Sequence, residues 1–137
     1  MKYSGQNWSL AALTASLILA LSGQSVRANV YASNIKLNGV LNNASVVQGG
    51  TVNISYILNE PANSGVTIKI YSGAAVVRTV NVAGGGTGAL RGANTVARNC
   101  KDDSNANVPL GTYTITIMAA STGHSAWDQI SNDSDAG

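Results

Sequence analysis

The clearest signal along this chain is alternation. Across 51–58 the positions Val52, Ile54, Tyr56 and Leu58 share one face of an extended segment. Across 66–72, Val66, Ile68 and Ile70 alternate with Thr67, Lys69 and Tyr71, and across 111–119, Tyr113, Ile115 and Ile117 oppose Thr112, Thr114 and Thr116. A period of two puts successive side chains on opposite faces of a pleated strand, so each run predicts a strand with one buried face. Residues 29–39, 75–82 and 93–98 predict three more, the last of them weak. Between them lie turn formers: Asn38–Gly39, Ser72–Gly73 and the glycine-rich 84–88. No segment after residue 29 carries a helical period. Six or seven short strands with turns at this spacing predict an all-β fold, a single antiparallel β-sandwich.

The two ends read differently. Lys2 and a polar start precede the apolar run 10–21, and Val26 and Ala28 stand at the small-residue positions before a cleavage point. This is the layout of a signal peptide over 1–28, and the run is short for a membrane span. The expectation is an exported chain without stable membrane insertion, located in the secreted, periplasmic or cell-surface compartment. From Ser121 the sequence turns polar and aperiodic, which predicts a sandwich domain over 29–122 and a linker or tail over 123–137.

Charge and cysteine content narrow the function classes. The whole chain carries a net charge of +2, but residues 29–137 hold six basic and six acidic side chains. The basic residues are scattered singly, so a nucleic-acid surface is not expected. The single cysteine, Cys100, excludes an internal disulfide, and the core must be built from Val, Ile, Leu and Tyr because the chain has no Phe.

The chemistry-bearing residues concentrate at 97–117. Asp103, Asn105 and Asn107 have the spacing of the first ligands of a calcium loop, but Val108 and Thr114 stand where such a loop needs its glycine and its closing acid. An Asx-rich turn is the better reading. Cys100 beside Lys101 has the makings of a nucleophile, yet the only histidine, His124, lies in the polar tail. One Cys and one His fall short of a zinc site, and 84–92 lacks the Gly-Lys-Ser/Thr ending of a phosphate loop. The residues therefore predict no catalytic group, no metal and no cofactor.

The segment "TVARNCKDDSNANVPLGTYTITI" resembles the closing part of the Ig-like domain of flagellar hook-capping (FlgD-type) proteins, a module found widely in exported bacterial proteins. The matching positions are Val96, Asn99, Asp102, Val108, Pro109, Gly111 and Tyr113, and Val77–Arg78–Thr79 match upstream. The resemblance spans about residues 35–120 and implies an Ig-like or fibronectin-III-like sandwich. In physical terms Asp102 and Asp103 should start a turn, Pro109 fix the approach to the next strand, and Gly111 take an unusual backbone angle. Tyr113 should then enter the core with its hydroxyl near that turn. Two departures stand out. Arg98 replaces the family's tryptophan, which places a charge at a position implied to hold a buried aromatic. Cys100 replaces a glycine, which implies a positive φ there.

The function implied is that of an exported, non-catalytic module, a spacer or interaction domain whose partners are other protein domains or cell-surface components. The tail also resembles the lead-in to a β-propeller, as if this were the N-terminal part of a longer protein. The alternatives are a hook-capping or assembly protein, and the accessory domain of a secreted hydrolase or carbohydrate binder.

Overall fold

The computed structural model describes residues 29–123 and the backbone of 127–130. The expected signal peptide, His124 and the end of the tail lie outside these residues. Among the described residues all regular elements are strands: β1 (Ala32–Leu37), β2 (Thr51–Leu58), β3 (Gly65–Ser72), β4 (Ala75–Val82), β5 (Gly92–Asn99), β6 (Thr114–Ala120) and β7 (Trp127–Ile130). They form two antiparallel sheets, one in the order β1-β2-β5 and the other β4-β3-β6-β7. The fold is an all-β, sandwich-like arrangement.

The buried faces follow from the alternation. Val52, Ile54, Tyr56 and Leu58 of β2 are buried, as are Val66, Ile68 and Ile70 of β3 and Ile115, Ile117 and Ala119 of β6. These side chains join Val30, Ala32 and Ile35 in one core. Asn38 and Gly39 both have positive φ, 51° and 82°, and close a two-residue turn in which Leu37 and Val40 exchange backbone hydrogen bonds of 2.9 Å. That is the geometry an Asn-Gly pair favours.

Three expectations are corrected. The first strand is shorter than 29–39, and it is broken by an irregularity between Ser33 and Lys36, where Asn34 has a φ of 50°. The 93–98 segment is a full strand, pairing with β2 at eight consecutive positions from Thr51–Asn99 to Leu58–Gly92. Within the segment read as a linker, Trp127–Ile130 pairs with β6 from Ala119 to Thr116. The free edge of β6 supplies the partner that four residues of weak pattern could not announce.

Tyr56 ties the sheets to the connection between β4 and β5. Its ring is buried and its hydroxyl donates to the Gly88 carbonyl at 2.5 Å. Burial pushes its phenol from 10 up to about 12. In the unfolded chain the phenol ionises near 10, so above that pH ionisation favours the unfolded state, and stability should fall as pH rises toward 12. Tyr56→Phe should cost about 1–2 kcal/mol at neutral pH, because the Gly88 carbonyl loses its donor, and should flatten the alkaline decline. Urea unfolding of both proteins at pH 8 and pH 10.5 checks this. Equal losses in the two proteins would remove Tyr56 from the explanation.

Candidate functional site

The end of the sandwich where β1 meets the turn at Asn38 also holds the connection 100–113 between β5 and β6. Its anchor is a hydrogen bond from the Cys100 amide to the Gly50 carbonyl, 2.9 Å, followed by one from Val108 to the Cys100 carbonyl, 3.3 Å. Between them runs a tight loop. The Asp102 amide donates to Ala106 O, the Ala106 amide donates back to Asp102 Oδ1 at 2.9 Å, and Asn105 takes a φ of 65°. An Asp that accepts from the backbone four residues on, with an Asn in the left-handed region, is the local chemistry of an Asx turn.

The two acids face different partners. Asp102 organises its own loop. Asp103 leaves it for β4: its carboxylate accepts from the Thr79 amide at 3.2 Å, and its own amide donates to the Val77 carbonyl at 3.2 Å. These groups lie next to the register shift of β4, where ladder pairing is interrupted. β4 is an edge strand, and Asp103 thus satisfies backbone groups that have no neighbouring strand.

Two arginines close on the same connection from opposite sheets. Arg78 of β4 stands across from Ile70, donates from Nη1 to the Asp102 carbonyl at 2.6 Å and brings Nε to 3.5 Å from Asp103 Oδ1. Arg98 of β5 stands across from Val52 and donates from Nε to Asn99 O at 2.7 Å and from Nη2 to Lys101 O at 2.6 Å. Its guanidinium pKa is lowered, first by burial, then adjusted by the neighbouring Cys100, Arg78, Asp103 and Tyr113. The sequence singled out Arg98 but missed Arg78 as its counterpart. The available signals were the Val77–Arg78–Thr79 match and the place of Arg78 as the one charge of its strand, and neither links it to Arg98.

Downstream, Val108 is buried, and Tyr113 packs against the core while its hydroxyl donates to the Pro109 carbonyl at 2.6 Å. Asn99 is exposed and contributes its carbonyl to Arg98. Two backbone expectations are overturned. Neither Gly111 nor Cys100 has a positive φ; the left-handed position of this connection is Asn105. A Cβ on Gly111 would meet only the Tyr113 ring edge at 4.0 Å. Gly111→Ala should therefore leave stability within about 0.5 kcal/mol, the scale of an unobstructed surface change. Cys100→Gly should lose about 1 kcal/mol, because it frees the unfolded backbone and removes a side chain packed on the core. Thermal melts of the two variants check both signs; a stabilised Cys100→Gly would restore the glycine-like reading.

Between the connection and the 41–48 loop, the two sheets leave a partly open cleft of about 450 Å³. Ile35, Leu37, Val52, Ile70 and Ile115 form an aliphatic wall, and Asn42, Ser45, Gln48, Thr112, Cys100 and Arg98 also line it. Leu41, Val47 and Leu110 stand at its mouth with 45%, 78% and 83% of their surface exposed. Of the charged side chains, Arg98 alone lines the cleft. Comparison with family models, curated proteins and solved structures finds no match for this chain.

Proposed function

We propose that this chain is an exported, non-catalytic module of the Ig-like, fibronectin-III-like kind, working as a spacer or interaction domain of a secreted or surface protein. Two features support the fold reading: the three-plus-four strand order, and a tyrosine just before β6 whose hydroxyl returns to the backbone four residues upstream. The observation that carries the spacer role is the direction of the outer strands. β1 starts beside the end of β2, with Ala32 opposite Leu58, and runs toward the cleft. β7 starts beside Ala119 and runs the same way, to Ile130 opposite Thr116. The chain enters the module at one end and leaves toward the other, so the folded part holds its two chain ends apart, as a spacer requires. The charged side chains around Cys100 support a structural role, since they bond the amides and carbonyls of their own connection and of β4.

A reporter fused after Gly137 tests the proposal. The fusion should leave the cytoplasm with Asn29 at its N-terminus, as mass spectrometry reads it. Pulled between its ends, it should give one cooperative unfolding event. A fusion that keeps Met1 and stays in the cytoplasm defeats the export claim. Gradual extension without such an event defeats the spacer claim.

A further inference from the structure

The cleft between the sheets is built differently from an ordinary packing defect. Its volume of about 450 Å³ falls in the range of small-molecule sites. One wall is aliphatic, the facing loop adds Asn42, Ser45 and Gln48, and the mouth carries three exposed aliphatic side chains, Leu41, Val47 and Leu110. Into these surroundings the fold places one cation. Arg98 uses two of its five N–H donors on the carbonyls of Asn99 and Lys101, which hold the side chain in place. Among the described residues its neighbour carboxylate, Asp103, is paired with Arg78 and the Thr79 amide instead. A half-buried guanidinium with donors to spare, lining a cleft that has an aliphatic wall, is complementary to a molecule with an anionic head and an apolar body.

We propose that the cleft binds a small amphipathic monocarboxylate of the medium-chain fatty-acid type. Its carboxylate pairs with the remaining donors of Arg98, and its chain lies along the aliphatic wall toward Leu110. Burial disfavours the charged guanidinium and Asp103, beyond ion-pair distance, offsets that only in part, so a carboxylate bound directly adds a closer counter-charge.

Cys100 provides a local readout, being the only cysteine of the chain and a lining residue. Alkylation of the full chain by a maleimide would be timed with decanoate, with decanol, and with neither. An amphiphile bound to the apolar residues 10–21 would leave Cys100 unprotected, so protection reports the cleft itself. Decanoate should slow the reaction at least about fivefold at saturation and bind at least about tenfold tighter than decanol, the margin of a charge-assisted hydrogen bond. Arg98→Gln should erase the preference for decanoate. Leu110→Glu, at an exposed position, should weaken decanoate protection without lowering the melting temperature, which keeps the test valid if Arg98→Gln fails to fold. Equal protection by decanoate and decanol, no protection by either, or protection only by an apolar peptide with a free C-terminus would each overturn the proposal.

Discussion

Gly84→Ala should destabilise the protein by about 3 kcal/mol, the upper part of the range for forced overpacking. A Cβ at residue 84 would overlap the carbonyl of Asn63 and come within 3.2 Å of the Gly65 amide nitrogen. Both obstacles are backbone, and neither is free to withdraw. The Ala62 amide is bonded to Ala89 O, the Gly65 amide to Ala62 O, and the Ser64 amide to Ala120 O, at 2.9, 2.9 and 3.0 Å. Ala62 itself is fully buried. Relief of the clash must therefore shift the crossing from β2 to β3 or break its bonds. The neighbouring Gly85→Ala is the control: its φ is 73° but nothing lies within 4 Å of the added carbon, so only the left-handed penalty of about 1 kcal/mol applies. Urea unfolding of both variants decides the matter. Equal midpoints would mean that the close approach at Gly84 costs nothing.

Asn94→Ala should cost about 2–4 kcal/mol. Asn94 is one of two buried polar residues among those described, and its amide holds the turn that begins β5. Its Nδ2 donates to Leu90 O at 2.7 Å and Gly92 O at 2.8 Å, and its Oδ1 accepts from the Leu90 amide at 3.3 Å. Alanine removes three part-buried hydrogen bonds to the backbone of Leu90 and Gly92, each worth about 0.5–1.5 kcal/mol. Asn94→Asp adds a second check. A carboxylate cannot donate to the two carbonyls, whereas the protonated acid can donate to one. Its folded-state pKa should be raised, so this variant should lose stability as pH rises from 4 to 7. Denaturation curves at the two pH values would show it, and a variant more stable at pH 7 than at pH 4 would refute the assignment.

The candidate site was legible only in part, and the reason is distance along the chain. Asp102 could be read as a turn residue because its partners, Asn105 and Ala106, are local. Asp103 reads the same way from its neighbours, yet it serves β4, twenty-four residues upstream. The arginine pair is similarly non-local, since Arg78 and Arg98 belong to different sheets. Gly111 shows the opposite error: a glycine in a turn-like motif suggested a left-handed backbone, but Asn105 had already supplied it.

By itself, the sequence determined the strand character of the chain, the inward faces of β2, β3 and β6, and the Asn38–Gly39 turn, because each depends on side chains one to three positions apart. The tertiary structure alone decided that β5 pairs along its whole length, that β7 exists, and that a lone arginine would line a cleft with an aliphatic wall. Those outcomes depend on which distant edges and faces meet, and local alternation carries no record of that meeting.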